Sequence, residues 1–190
     1  ALGCKILDAC ASPGGKTSAA AIKAKADARI VSCDISEKKV KDIEENISRM
    51  GFGFVNTKVQ NAAEFNPEFE KAFDVVIADV PCSGFGVISK KPDIRLKEKD
   101  DISKLPEIQT GIINNVSKYV KPGGYLLYST CTLLSDENED VVTQFLKSHD
   151  NYISEDFKIA DFPSKDGMFT FWPNIHKTDG FFVAKLKRLL

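Results

Sequence analysis

The sequence lacks the long apolar runs that mark membrane and secreted proteins. It contains no stretch of about 18 or more apolar residues, which a membrane-spanning helix requires. The first residues carry neither a basic start nor a long apolar stretch. We therefore expect a soluble, cytoplasmic protein without a membrane partner. A chain of 190 residues with 43% hydrophobic content fits one compact domain, so we predict a single catalytic domain over residues 1–190, acting as a monomer.

Histidine is scarce, and the cysteines lack metal-binding spacing. The chain has 2 histidines and 5 cysteines, with no Cys-x-x-Cys pair. No zinc or other metal site is therefore expected. The odd cysteine count also fits poorly with a disulfide framework, which predicts free thiols in a reducing compartment. For Cys4 and Cys33 we expect core packing. Cys10 adjoins a glycine loop, so both a structural and a functional role are open for it.

A strong excess of positive charge is also missing. The 26 basic and 27 acidic residues nearly cancel, which argues against a protein that binds nucleic acid by broad phosphate neutralisation alone. Any such contact is expected to be local, or to depend on segments outside this chain. The main basic cluster lies in a charged surface loop, where solvated side chains are the alternative to phosphate contacts; it comprises Lys90, Lys91, Arg95, Lys97 and Lys99.

What the sequence does contain is an alternation of short apolar runs with amphipathic patterns. Strands are predicted at Lys5–Cys10, Arg29–Asp34, Phe54–Gln60, Phe73–Val80 and Tyr125–Cys131. Helices are predicted at Ser36–Met50, Leu105–Val120 and Ser135–Lys147. Aromatic runs at Met168–Trp172 and Gly180–Leu186 predict a closing hairpin. The alternation predicts an α/β fold with a mostly parallel, doubly wound sheet and a C-terminal antiparallel hairpin.

The first predicted strand runs into a loop with paired glycines, DACASPGGKT at residues 8–17. Such glycines let the backbone approach a ligand, and the following helix offers free N–H groups. Gly15-Lys16-Thr17 imitates a phosphate-binding loop, but that motif requires glycine where Cys10 stands. Asp34 ends the second strand, where α/β proteins bind the ribose of an adenosine; stabilising the next helix is its alternative role. Since G-x-G-x-x-G is absent, loop and acid together favour S-adenosylmethionine.

Two further cysteines follow predicted strands. Cys82 stands in DVPCSG and Cys131 in STCT, and loops after parallel strands converge on one crevice. Taken singly, each thiol is as well explained by a structural role. Together they fit methylation of carbon 5 of a cytosine, in which one thiolate adds at carbon 6 and a second group assists release. Asp79 could polarise the ring at nitrogen 3 and the amine. The residues alone do not order the two thiols.

These segments together resemble the Sun/RsmB (Fmu) family of RNA 5-methylcytosine methyltransferases. The similarity runs from the first strand to the last and includes DACASPGGKT at 8–17, DVPCSG at 79–84, KPDIR at 91–95, STCT at 129–132 and HKTDGFFVAKLKR at 176–188. The resemblance implies a Rossmann-like fold. It also implies transfer of a methyl group from S-adenosylmethionine to carbon 5 of an RNA cytosine, through a cysteine adduct at carbon 6.

The resemblance further implies roles for individual residues. Cys131 is the expected nucleophile, Cys82 the releasing thiol and Asp79 the polarising acid. Cofactor contacts are expected from Cys10, Ala11, Ser12, Pro13, Gly14, Gly15, Lys16, Asp34, Asn61 and Asp79. Asn61 stands where the family usually has aspartate, so cofactor affinity should shift without being lost. The family's segment before strand one and its N-terminal RNA-binding domains are missing from this chain, which we therefore expect to be a fragment that binds RNA poorly.

The expected substrate is single-stranded or loop RNA, because the target base must leave its stack. The bacterial members that modify 16S rRNA look most similar, although tRNA-modifying relatives share the motifs. Lys91 and Arg95 are expected to contact RNA phosphates. His176 and Asp179 are expected to cap the hairpin turn. The rival hypotheses are an assembly factor without turnover, a DNA cytosine methyltransferase that attacks from Pro81-Cys82, and a phosphate-binding nucleotidase.

Overall fold

The computed structural model describes residues 3–24, 27–98 and 102–190. The strands described are β1 Lys5–Asp8, β2 Arg29–Asp34, β3 Val55–Val59, β4 Phe73–Asp79, β5 Val120–Thr130, β6 Tyr152–Ser154, β7 Lys158–Ile159, β8 Phe162–Pro163, β9 Met168–Phe171 and β10 Phe181–Arg188. The helices are α1 Gly15–Ala24, α2 Glu37–Arg49, α3 Leu105–Val116, α4 Glu139–Ser148 and the single turn α5 Pro173–His176. Short 3-10 turns occupy Pro67–Phe69, Phe85–Val87, Pro92–Leu96, Ser117–Tyr119 and Ser135–Glu137.

The main sheet has the order β3-β2-β1-β4-β5-β10-β6, and β9 also pairs with β10. Strands β1 to β5 run parallel, whereas β10 is antiparallel to its three neighbours. The predicted Rossmann-like sheet with an antiparallel C-terminal hairpin is confirmed. The strand order reverses between β1 and β4, so the loops that follow these two strands face one another across a crevice.

Strand β5 begins five residues earlier than the pattern predicts. Pro122, Gly123 and Gly124 suggest a turn, yet they continue the strand. The pairing register with β4 shifts between Phe73 and Val75, and Gly123 has φ +79°, a conformation that glycine adopts readily. An irregularity in the ladder therefore accommodates residues that would otherwise end a strand.

Two residues on the apolar faces of the predicted helices are exposed. The periodicity places Met50 with Val40, Ile43 and Ile47, and Ile108 with Ile112, Ile113 and Val116, and so predicts that both face the core. Val40, Ile43 and Ile47 of α2 are buried, but Met50 forms the C-cap and is 39% exposed. In α3, Ile112, Ile113 and Val116 are buried, whereas Ile108 is 46% exposed. The prediction was wrong for Met50 because the helix ends there. It was wrong for Ile108 because the helix surface at that point lines an open cavity.

In the described ranges, no helix is long and apolar enough to cross a membrane. Nor do those ranges contain a group of three or more His, Cys, Asp or Glu residues that could bind a metal ion.

Candidate active site

A cavity of about 310 Å³ lies at the carboxyl ends of β1, β2 and β4. It brings together residues that are far apart in sequence but were predicted to share a site: Cys10, Ser12, Asp34, Asn61, Asp79, Cys82 and Cys131. A larger surface cavity of about 440 Å³ beside α2 and β3 contains none of the predicted site residues. The cavity at the switch point of the sheet is therefore the candidate site.

The glycine loop lies between β1 and α1, and only part of it lines the cavity. The backbone N–H of Ala11 donates to Cys33 O (2.9 Å), and Gly14 N–H donates to Ala11 O (2.6 Å). Gly14 has φ +102°, a conformation that disfavours side chains. The predicted cofactor residues Ala11, Pro13, Gly14, Gly15 and Lys16 do not line the cavity. They shape the loop that presents Cys10 and Ser12, and their contact with a cofactor stays a prediction.

The phosphate-loop alternative is disfavoured by the side chain of Thr17. In such loops this hydroxyl must reach a bound metal ion. Here Thr17 is buried, donates to Asp8 Oδ2 (2.7 Å) and lies 2.8 Å from the Ser32 hydroxyl. Lys16 instead pairs with Asp79, its Nζ lying 2.5 Å from Oδ2.

Asp34 lies at the end of β2 with its buried carboxylate against the cavity wall. It accepts hydrogen bonds from the backbone N–H groups of Ser12 (3.0 Å) and Ile35 (2.8 Å). Lys39 Nζ is 3.1 Å away. These donors stabilise a buried negative charge and tie the glycine loop to β2.

The cavity has aliphatic walls that the sequence did not reveal. Ile35 is 58% exposed and Ile108 is 46% exposed, yet both line the cavity. An apolar side chain left accessible beside buried polar groups is typical of a ligand site. The only sequence signal was that Ile35 directly follows Asp34.

Asp79 connects the glycine loop to the β5 edge. Besides Lys16, the hydroxyl of Ser129 donates to its Oδ1 (2.8 Å). The ammonium of Lys16 lies over the ring of Phe181, with Nζ 4.9 Å from the centroid. Both carboxylate oxygens of Asp79 therefore have a donor, and the side chain is held at the cavity wall beside Cys131.

Cys82 and Cys131 form a pair of thiols. Their Sγ atoms are 3.1 Å apart, and Cys131 N–H lies 3.2 Å from Cys82 Sγ. Both side chains line the cavity. The predicted convergence of the two loops is therefore observed at hydrogen-bond distance.

The two thiols have different environments. A hydrogen bond from the Cys82 thiol, aided by the positive charge of Lys16, lowers the pKa of Cys131 to about 7, against burial and the Asp79 charge. The same hydrogen bond, together with burial, raises the pKa of Cys82 well above its ordinary value. Burial also raises the pKa of Cys4, Cys10 and Cys33. These shifts favour ionisation of Cys131 over that of Cys82.

The side chain of Asn61 forms hydrogen bonds within its own turn. Its side-chain oxygen accepts from Ala63 N–H (3.0 Å), and its amide nitrogen donates to Glu64 Oε1 (3.0 Å). The residue still lines the cavity. An asparagine can cap this turn as an aspartate would, but it adds no charge to the cavity.

The basic cluster separates into different environments. Lys90 pairs with Asp179 (2.5 Å), and Lys97 Nζ donates to Ser83 O (2.6 Å). Lys99 lies outside the described residues. Lys91 and Arg95 are exposed, and their side chains make no hydrogen bond or ion pair with the rest of the described chain. Two lysines of the cluster thus have structural partners, whereas the two predicted phosphate ligands, Lys91 and Arg95, are exposed to solvent.

His176 also has a structural partner. Its Nδ1 accepts from the backbone N–H of Trp172 (2.8 Å), and its ring packs against Phe162, Phe169 and Phe171. These contacts agree with the predicted role in capping the hairpin turn.

Asp8 should make stability depend on pH. Burial raises its pKa to about 6, and its Oδ1 has no hydrogen-bond partner in the described structure. The folded state therefore binds a proton that the unfolded chain, with a pKa near 3.9, releases. The contribution of this proton to the free energy of unfolding is fully present below about pH 4. It is lost as the pH rises through about 6, a change of about 3 kcal/mol.

We expect Asp8→Asn to remove this dependence, because a neutral amide still accepts from Thr17. Urea unfolding of both proteins checks it: the variant should gain about 3 kcal/mol relative to wild type between pH 4 and pH 7.5. Parallel profiles of the two proteins would show that Asp8 does not change its protonation on folding.

Comparison with known proteins identifies relatives of this chain. The probable ribosomal RNA small subunit methyltransferase B of Bacillus subtilis strain 168 is 37% identical, over 96% of this chain and 43% of that protein. The chain therefore spans less than half of that relative. NSun6 from Pyrococcus horikoshii, solved with SFG, has a TM-score of 0.85 at 31% identity, over 97% of this chain and 48% of that one.

A more distant structure shares the fold alone. It is a SAM-dependent O-methyltransferase from Thermotoga maritima, with a TM-score of 0.59 at 16% identity, over 99% of this chain and 60% of that one. The family profile described as 16S rRNA methyltransferase RsmB/F matches residues 3–187. On that match, which leaves out only a few residues at either end, the chain belongs to the 16S rRNA methyltransferase RsmB/F family.

Proposed function

We propose that this chain is the catalytic domain of a cytoplasmic RNA (cytosine-5)-methyltransferase that acts on 16S rRNA with S-adenosylmethionine as methyl donor. The observation that carries the proposal is the thiol pair: Cys82 and Cys131 lie 3.1 Å apart in the cavity that Asp34 and Asp79 also line. A cavity with an acid at the end of β2 fits an adenosine ligand. Two adjacent thiols fit a reaction that forms and then breaks a carbon–sulfur bond.

The residues present fit S-adenosylmethionine. The Asp34 carboxylate can accept hydrogen bonds from ribose hydroxyls, and the exposed Ile35 and Ile108 side chains offer apolar contact for a flat ring. NSun6 of Pyrococcus horikoshii was solved with SFG, an analogue of this cofactor. When bound, S-adenosylmethionine supplies the methyl group on a sulfonium sulfur.

In the proposed mechanism the Cys131 thiolate attacks carbon 6 of the cytosine. A pKa of about 7 leaves roughly half of this thiol ionised at neutral pH. Bond formation at carbon 6 moves electron density to carbon 5, which then accepts the methyl group. Asp79, which lines the same cavity, is proposed to bind the polar edge of the base, as the family resemblance implies.

Release requires a base at carbon 5, and the proposal assigns this role to Cys82. While Cys131 is a thiolate, its charge and hydrogen bond keep Cys82 protonated. Once Cys131 is bonded to carbon 6 that charge is gone, so Cys82 can lose its proton to solvent. The Cys82 thiolate then takes the carbon-5 proton, the electron pair forms the carbon 5–carbon 6 double bond, and the carbon–sulfur bond to Cys131 breaks. The original thiol–thiolate pair is restored, with one proton released overall.

The RNA surface is proposed to include Lys91 and Arg95. Their 3-10 turn packs on the Cys82 loop: a Cβ on Gly84 would lie 3.0 Å from Ile94 Cδ1, and Lys97 donates to Ser83 O. Phosphates on either side of a base in the cavity would pass close to this turn.

Arg95→Ala is expected to weaken RNA binding several-fold. It should also reduce the slope of log affinity against log salt by about 0.7, the value for one lost phosphate contact on a single strand. Binding titrations at three salt concentrations measure both effects. Lys41→Ala, an exposed lysine of α2 that does not line the cavity, is the control. Equal slopes for Arg95→Ala and wild type would remove Arg95 from the RNA surface.

The proposed function is tested by product analysis. The chain is incubated with S-adenosylmethionine carrying a labelled methyl group and with 16S rRNA, a tRNA pool or single-stranded DNA, and the digested nucleosides are identified by mass spectrometry. Labelled 5-methylcytidine from 16S rRNA supports the proposal. Label in tRNA alone would change the substrate, and label in DNA would favour the DNA-type enzyme. Adenosine triphosphate binding far more tightly than S-adenosylmethionine, without methylation, would favour the nucleotidase.

A further inference from the structure

A buried carboxylate lies behind the thiol pair, outside the cavity wall. Glu137 ends the 3-10 turn that follows β5 and is 1% exposed. Its Oε2 accepts from the backbone N–H of Ser83 (2.9 Å) and from Gln109 Nε2 (2.8 Å). Gln109, fully buried on α3, also donates to Pro81 O (2.9 Å). The two side chains therefore hold the backbone on both sides of Cys82.

The turn that carries Glu137 is itself anchored to the Cys131 side of the site. Tyr128 donates its hydroxyl to Glu137 O (2.6 Å), and the Asn138 amide donates to Thr132 O (3.1 Å). The hydroxyls of Ser83 and Thr132 are 2.8 Å apart. One connected set of hydrogen bonds therefore fixes the Cys82 loop relative to the Cys131 loop.

Holding a loop with a buried carboxylate carries an unfavourable desolvation free energy. Burial of a charged group is unfavourable unless its hydrogen bonds are made, and an apolar residue of similar size often stabilises a core as well or better. Glu137 Oε1 has no partner in the described structure, so the group is not fully compensated. Its placement suggests selection for geometry at Cys82 and not for stability.

We propose that Glu137, assisted by Gln109, is a positioning residue that holds Cys82 for the release step. This inference rests on the proposed function. Glu137 reaches the reacting atoms only through the backbone of the Cys82 loop, since it does not line the cavity. An error of about 1 Å in the position of the releasing thiol is enough to slow a step about 100-fold. Loss of Glu137 should therefore prolong the life of the covalent adduct.

The test is a single-turnover reaction with 16S rRNA and labelled S-adenosylmethionine, in which methyl transfer and adduct decay are followed separately. Glu137→Ala is expected to slow adduct decay about 10- to 100-fold and to leave cofactor affinity unchanged. Glu137→Gln keeps an oxygen that accepts from Ser83 and should restore decay to within a few-fold of wild type. Asp136→Ala, an exposed acid of the same turn, is the matched control.

A double variant distinguishes a positioning role through Cys82 from a general disturbance of the site. If Glu137 acts through Cys82, decay in Cys82→Ala/Glu137→Ala should be no slower than in Cys82→Ala alone. If Glu137→Ala folds poorly, Gln109→Met provides a second test and should show the same slow adduct decay. Wild-type decay in both Glu137→Ala and Gln109→Met would overturn the inference, as would additive effects in the double variant. Absence of an adduct in wild type and Cys82→Ala would instead count against the proposed function.

Discussion

Cys131→Ala is expected to abolish both methyl transfer and the covalent protein–RNA adduct. The hydrogen bond from Cys82 and the nearby Lys16 charge lower the pKa of Cys131 to about 7, which favours Cys131 as the attacking thiolate. No other cysteine in the described residues has a lowered pKa. Loss of a covalent nucleophile typically costs at least about 10³-fold in rate.

Cys82→Ala is expected to give the opposite result, an adduct that forms and persists. Without the releasing thiol, the carbon–sulfur bond to Cys131 is not broken efficiently. Removing the Cys82 hydrogen bond should also return the pKa of Cys131 toward the ordinary value of about 8.5. Adduct formation in this variant should therefore be about tenfold slower than wild type at pH 7 and should recover above pH 8.5.

Denaturing gel electrophoresis of protein, RNA and S-adenosylmethionine mixtures measures both outcomes across pH. An adduct in Cys131→Ala and none in Cys82→Ala would reverse the roles and favour the order used by DNA cytosine methyltransferases. If neither variant nor wild type forms an adduct while cofactor binding is intact, the chain is better explained as a binding module. Matched RNA lacking cytosine, which should give no adduct, provides the control.

Gly86→Ala is expected to disrupt the contact between three segments of the site. Gly86 N–H donates to Cys131 O (2.9 Å), and Gly180 N–H donates to Gly86 O (2.8 Å). A Cβ on Gly86 would lie 2.1 Å from Gly180 O and 2.8 Å from Cys131 O. Because both neighbours are backbone atoms, they can move aside only if the main chain shifts. The Cys82 loop, the Cys131 loop and the start of β10 would have to separate.

The expected cost of Gly86→Ala is about 3 kcal/mol of unfolding free energy and at least about 100-fold in methyl transfer, because the thiols lose their relative position. Urea unfolding and single-turnover kinetics measure the two effects. Gly111→Ala is the matched control: Gly111 lies in α3 with nothing within 4 Å of an added Cβ. That variant should gain up to about 1 kcal/mol, as alanine favours helix. Equal stability of Gly86→Ala and wild type would show that the loops adapt.

Much of this arrangement could be predicted from local pattern. Alternating apolar runs and amphipathic helices predict a doubly wound sheet, since each element must bury one face or both. Cys82 and Cys131 follow predicted strands, and the carboxyl ends of parallel strands meet at one edge, so their convergence is expected. Periodicity was less informative at Met50 and Ile108, because one residue caps a helix and the other lines a cavity.

The sequence by itself therefore determined the α/β fold and the edge of the sheet that holds the candidate site, and it singled out two thiols there. Only the tertiary structure decided that these thiols lie within hydrogen-bond distance, that Lys16 pairs with Asp79 across 63 residues, and that Glu137 turns inward behind Cys82. These outcomes depend on burial and on charges brought together across the sheet. Local propensity responds to neighbours within a few residues, whereas a pKa and a buried hydrogen bond respond to whatever the fold places within a few ångströms.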